Sequence, residues 1–350
     1  MELLKQLYSI HSPSGGEKKM RKFIKNWVRR NVPDAEIHAE YGNLYIVRGE
    51  AESYPCIVAH TDQVQKKHSK DFRCYMSDGK VYGFSVEDME MQGLGADDKN
   101  GIWVALKCLE KYPVMKCAFF CGEEVGCVGS SDADMAWFKD CRWVVQCDRK
   151  NGGDLITDAS FVELCSKEFV DALEPWRFGY KETQGMMTDV MTLKEQGLGV
   201  SCVNMSCGYY RPHTDGEFTK IAELENCLAF VQWIVENVTD VYEHRYEKRY
   251  GGSRGFGDYD DWYGYGYGGY WGTEKSGKDD GDDLWYGYDE SKEIMSDDEL
   301  AEYAADCMWN YPDMTEDDIV YDLRYMSGRN ASDVRRVVKA VIAANSKFVA

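Results

Sequence analysis

From residue 1 to about residue 245 the chain alternates short, almost wholly apolar runs with stretches of helical periodicity. Leu44-Tyr45-Ile46-Val47, Cys56-Ile57-Val58-Ala59, Cys117-Ala118-Phe119-Phe120 and Trp143-Val144-Val145 are too short for helices and rich in strand-forming types. Between them lie helical patterns. Lys18 to Arg30 is basic and amphipathic behind a start signal at Ser14-Gly15-Gly16-Glu17. Residues 101–111 and the long stretch Ala222 to Val238 follow the same period. Strands alternating with helices predict an α/β, three-layer domain: a mixed, mainly parallel central sheet flanked by helices.

Past this region the chain changes character. GFGDYDDWYGYGYGGYWG, inside residues 251–290, follows neither the strand nor the helix period, and its Gly and Asp content reads as a disordered linker. Order is expected to return after it. Ser296-Asp297-Asp298-Glu299, Thr315-Glu316-Asp317-Asp318 and Ser332-Asp333 resemble helix starts with acids in the first turn, followed by helically spaced apolar residues. The expected organisation is a main domain over 1–245, a Gly/Tyr/Asp-rich linker over 246–293 and a small C-terminal helical module over 294–350. That module is a stability or docking appendage, with room for a protein partner.

Composition excludes some functions. A net charge of −20 repels phosphate backbones, so nucleic acid is not expected as a substrate. No apolar run is long enough to span a membrane, and MELLKQLYSIHSPSGGEKK lacks the features of a signal peptide. A cytoplasmic protein is expected. The 13 cysteines are scattered without a CxxC pair, which reads as reduced core thiols.

Residues capable of chemistry cluster at the ends of the apolar runs. His60-Thr61-Asp62 follows Cys56–Ala59 directly. In open α/β sheets ligands bind at the carboxyl ends of strands. A His there can hold a metal while an Asp two residues on accepts its other ring N–H. In Gly93-Leu94-Gly95-Ala96-Asp97-Asp98-Lys99-Asn100-Gly101 the glycines permit a tight turn, from which Asp97 can bridge two cations. Glu123 and Glu124, after the run ending at Cys121, can divide metal ligation and general-base work. Asp148 follows Trp143–Val145, and His213 precedes the last long helix. Taken singly, each has an ordinary reading as a surface histidine, a helix cap or a charged loop. Together they supply imidazole and carboxylate without thiolate, a donor set that suits zinc, manganese or cobalt.

With these motifs in this order, together with LYSIHSPSGGE and EYGNLYIV, the chain resembles the di-zinc exopeptidases related to peptidase T, the aminoacylases and the glutamate carboxypeptidases, from the N-terminus to about residue 240. The resemblance implies two Zn²⁺ ions, with Mn²⁺ or Co²⁺ as alternatives. It implies His60 and Asp148 on the first ion, Glu124 and His213 on the second, and Asp97 bridging both. Asp62 would orient His60 and Glu123 would be the general base. Only residues 149–212 separate Asp148 from His213, too few for the inserted lid domain of many such enzymes. Without a lid, Tyr209, Tyr210 and Arg211 are candidates to assist the oxyanion, each with an equally good packing role. The expected activity is aminopeptidase action on short peptides. An aminoacylase-type amidohydrolase and a binding or scaffold protein on the same fold are the alternatives.

Overall fold

The computed structural model describes residues 1–246 and, further on, residues 296–297, 300–301, 304–305, 316, 319–320, 323, 329 and 331–345. The segment read as a linker lies outside the described residues. The strands are β1 (Ala35–Glu40), β2 (Asn43–Arg48), β3 (Tyr54–His60), β4 (Arg73–Ser77), β5 (Lys80–Ser85), β6 (Glu90–Met91), β7 (Met115–Phe120), β8 (Cys141–Arg149), β9 (Asp154–Ala159), β10 (Val162–Glu163), β11 (Lys181–Gly185), β12 (Cys202–Ser206), β13 (Tyr209–Tyr210) and β14 (Phe218–Lys220). The helices are α1 (Glu2–Tyr8), α2 (Lys18–Asn31), α3 (Ala96–Lys111), α4 (Val128–Ser131), α5 (Lys167–Leu173), α6 (Asp189–Glu195), α7 (Ile221–Asn237) and α8 (Ala331–Asn345).

Nine strands form one mixed sheet in the order β1-β2-β7-β3-β8-β12-β9-β10, with β11 also paired to β9. Its centre, β7-β3-β8-β12, is parallel throughout. Antiparallel pairing closes it on both sides, through β2 against β7 and β9 against β12. A second, five-stranded sheet joins β13, β14, β5, β4 and β6.

The central strands are apolar because they are buried on both faces. Along β3, Ile57 and Ala59 enter one core, shared with Leu4, Ile24, Leu106, Phe230 and Ile234 of α1, α2, α3 and α7. Cys56 and Val58 enter the opposite core, with Val190 and Leu193 of α6. β7 alternates in the same way, with Cys117 and Phe119 on one side and Ala118 and Phe120 on the other. This is the expected three-layer arrangement. Between Asp148 and His213 the chain builds only β9 to β13, α5, α6 and a short 3₁₀ turn, so no separate lid domain is inserted there.

The cysteines of the described residues are free thiols, all but Cys74 buried. No helix of the described residues is long and apolar enough to cross a membrane. In the C-terminal segment Leu300, Ala304, Ile319, Val320, Leu323, Val334, Val337 and Val338 form a cluster that shares no residue with either face of the sheet. A chain ending at Tyr246 loses α8 and the Arg335 guanidinium that lies 4.8 Å over the Tyr41 ring, and is expected to keep a cooperative unfolding transition with a helical signal reduced only by the lost segment. Loss of that transition would make the C-terminal segment part of the main core.

Candidate active site

The candidate residues converge where the parallel strands end. His60 is the last residue of β3, Asp148 the last but one of β8, and Glu123 and Glu124 lie in the loop after β7. Asp97 leaves the turn that opens α3, where Gly95 adopts φ 62° and the Asp97–Asp98 peptide is cis. His213 comes from residues 211–217, the loop joining β13 to β14.

His60 is fully buried. Its Nδ1 lies 3.3 Å from a carboxylate oxygen of Asp62 and 3.2 Å from that residue's carbonyl. Its Nε2 faces Asp97 Oδ1 at 3.1 Å and Asp148 Oδ1 at 3.5 Å. The second oxygen of Asp97 lies 3.3 Å from His213 Nε2, which is 3.0 Å from Glu124 Oε2. Asp97 thus divides its carboxylate between two imidazoles, and each half has one further carboxylate. All five expected ligands come together. Two groups of ligand atoms lie mutually within 4.8 Å, His60 with Asp97 and Glu124, and His60 with Asp98 and Asp148. Four donors around a tetrahedral ion at bonds of about 2.0 Å sit about 3.3 Å apart, close to the separations here. Glu124 Oε1 is buried with no hydrogen-bond partner, as a ligand-ready oxygen would be. These residues can hold a divalent metal.

Asp62 does more than face His60. It accepts hydrogen bonds from Ser14 Oγ at 2.8 Å and from the backbone N–H groups of Glu123 and Glu124 at 3.0 and 3.2 Å. One carboxylate therefore fixes both the histidine ring and the loop carrying the two glutamates. Asp98 was not singled out from the sequence. It accepts from the backbone N–H of His60 at 3.1 Å and of Gly101 at 2.9 Å. A Cβ at position 101 would collide with it, which accounts for that glycine. With both oxygens committed to backbone, Asp98 is a clamp on His60.

Asp148 is held from below. Its N–H donates to Asn204 Oδ1 and its carbonyl accepts from Asn204 Nδ2. Gln146 Nε2 reaches both Asp148 and Asp189 at 3.2 Å, while Thr188 Oγ1 orients that amide through its oxygen. The sequence signal for this support is Gln146 interrupting an apolar strand.

Of the oxyanion candidates, Tyr209 is buried with its hydroxyl 3.4 Å from Asp148 Oδ1. Tyr210 donates to Glu223, accepts from Lys220 and stacks on Phe218, a packing role. Arg211 is exposed, its guanidinium 6.0 Å from the Phe218 ring. Arg149, a possible local cation, is paired with Asp154 at 3.2 Å.

Charge crowding sets the electrostatics. Burial alone would depress His60, but the charge of Asp148 and hydrogen bonds to Asp148, Asp62 and Asp97 raise it well above its ordinary value. Hydrogen bonds to Asp97 and Glu124 push His213 up to about 11. Burial would raise Asp97, yet the two histidines hold it far below the usual carboxylate range. Burial, then the charge of Asp97, raises Glu124 to about 7 and Asp148 well above its ordinary value. Glu123 is also raised, by burial and then by the charges of Asp148, Asp189 and Glu124.

No protein-family model and no curated protein matches the sequence. Among solved structures, the fold is similar to aminopeptidase PepT from Bacillus cereus ATCC 10987, with TM-score 0.56 and 14% identity over 67% of this chain and 96% of that one. It is similar to a tripeptidase from Staphylococcus aureus, with TM-score 0.52, 14% identity, and the same 67% and 96% coverage. A TET aminopeptidase from Thaumarchaeota archaeon SCGC AB-539-E09 gives TM-score 0.51 and 14% identity over 68% of this chain and 96% of that one. The chain has the peptidase T-like fold.

Both histidines are raised above their ordinary value, which favours the protonated imidazole while no metal is bound. A metal needs neutral imidazole and ionised carboxylate, and Glu124 and Asp148 are raised as well, so binding is expected to release a number of protons at pH 7 and affinity to fall as pH falls. Calorimetric titration in buffers of different ionisation enthalpy reads this number. Binding without proton release would contradict the protonated resting state of these ligands.

Proposed function

We propose that this chain is a metal-dependent exopeptidase, an aminopeptidase acting on short peptides through a site for two divalent cations. The division of Asp97 between His60 and His213 carries this reading. In it, His60, Asp148 and one oxygen of Asp97 hold the first ion, and His213, Glu124 and the other oxygen hold the second. Zinc suits the nitrogen and oxygen donors best, and manganese or cobalt also fit them. Bound there, the ions would supply Lewis acidity, polarising a scissile carbonyl and lowering the pKa of a water at the site.

The chain's own residues complete the chemistry. Glu123 takes the proton of the attacking water and passes it to the leaving amine. A carboxyl group raised by burial and neighbouring charges is suited to both halves of that transfer. Asp62 positions it by bonding the backbone N–H of Glu123. Tyr209 steadies Asp148 through its hydroxyl.

Substrate class follows from charge and access. The net charge of −20 favours a protonated amine over a second carboxylate. With no inserted lid, a peptide can extend outward while its N-terminus is held at the ions. Arg149 is neutralised by Asp154, so it does not reverse this preference.

Glu123→Gln is expected to retain metal while turnover falls roughly 10²–10⁴-fold, the range of a general base. Metal analysis and kinetics on one preparation check this, and unchanged turnover would remove Glu123 from the role. Offered the same peptide with either end blocked, the enzyme is expected to cut the C-terminally amidated form and spare the N-acetylated one. The reverse pattern would make it an acylase or carboxypeptidase.

A further inference from the structure

Glu217 is fully buried, four residues beyond His213 and directly before β14. Its Oε2 accepts the backbone N–H of Ala96 at 3.0 Å, and its Oε1 accepts the N–H of Asp97 at 3.4 Å. A third donor, Gln65 Nε2, lies 3.3 Å from Oε2. We propose that Glu217 is a positioning residue: through the amides of Ala96 and Asp97 it fixes the angle at which Asp97 offers one oxygen to each half of the site. This rests on the two-metal reading above.

The chemistry requires a carboxylate. Two successive N–H groups open toward the same point at the start of α3, and an anion with two oxygens meets both. An amide presents one oxygen and one NH₂ group, so one of the two backbone donors would face another donor. The same carboxylate links two ligand-bearing segments, the turn with Asp97 and the loop with His213.

A directional chain of hydrogen bonds holds Glu217 in turn. Lys99 Nζ donates to Gln63 Oε1 at 2.6 Å, Gln63 Nε2 donates to Gln65 Oε1 at 3.1 Å, and Gln65 Nε2 donates to Glu217. A buried amino group stands at one end and a buried carboxyl group at the other, so the donor at one end and the acceptor at the other orient both amides. The glycines of the turn make room for this chain. A Cβ at Gly93 would come within 2.5 Å of Gln65 Cγ, and one at Gly95 within 2.8 Å of Gln63 Cδ.

The test is a cobalt titration of the full chain, followed by the visible ligand-field absorption of Co²⁺. The wild type, Glu217→Gln, Glu217→Asp and Gln65→Met are compared, with the thermal midpoint of each protein recorded before cobalt is added. Glu217→Gln is expected to bind cobalt 10–100-fold more weakly, the usual cost of losing a partner behind a metal ligand, and to shift the absorption of the saturated protein. Gln65→Met removes a donor to Glu217 but neither backbone bond, and is expected to stay within about threefold of wild type by the same reasoning. Glu217→Asp keeps the charge but withdraws it from the amides, and is expected to weaken binding even if Glu217→Gln fails to fold. Wild-type affinity and spectrum in a folded Glu217→Gln or Glu217→Asp would overturn the assignment. So would an equal loss in Gln65→Met, which would mark a general packing effect. A wild type that takes up no cobalt would overturn the two-metal reading itself, and the positioning role with it.

Discussion

Asp97 presents one carboxylate oxygen to His60 and the other to His213, in a site that also gathers Asp148 and Glu124, with Glu123 close enough to feel their charges. So many carboxylates in one buried place repel one another, and burial penalises each charge. The histidines answer part of that, since the surrounding carboxylates favour their protonated forms and raise both above their ordinary value. Divalent cations would answer it more completely, because they would place positive charge at the point where the oxygens converge.

Holding that arrangement falls to other buried acids, which bind backbone rather than metal. Asp62 holds the N–H groups of Glu123 and Glu124, Asp98 holds those of His60 and Gly101, and Glu217 those of Ala96 and Asp97. Each clamp turns a loop at a strand end into a fixed platform. The rigid part beneath is the parallel centre of the sheet, whose side chains alternate between two cores. Function therefore sits on loops, and precision comes from what those loops are tied to.

The central strands were readable because burial on both faces leaves β3, β7 and β8 mostly apolar, with Lys116 in β7 and Gln146 in β8 as exceptions. The site was readable for the same reason: a charged residue directly after such a run stands at the sheet's edge, as His60 and Asp148 do. The edge strands were not. β11 reads Lys-Glu-Thr-Gln-Gly and is largely exposed, so no apolar alternation marks it. The β4–β5 hairpin did carry a signal that went unused, Asp78-Gly79, whose φ angles of 50° and 70° match the favoured tight turn. Asp62 was legible as the partner of His60, but its bonds to the Glu123 and Glu124 amides, that of Asp98 to His60 and those of Glu217 were not, because these partners lie far away along the chain, as Glu217 lies 121 residues from Ala96. Tyr209 and Tyr210 are adjacent and alike, yet strand alternation sends one hydroxyl to Asp148 and the other to Glu223.

The central claim is that one carboxylate, Asp97, serves two cations. Crystals grown with zinc and measured above and below the zinc absorption edge test it directly. The account predicts two anomalous peaks about 3.5–4 Å apart, one on each side of Asp97, with His60 and Asp148 at the first and His213 and Glu124 at the second. A single peak, or peaks that leave Asp97 unshared, would contradict it.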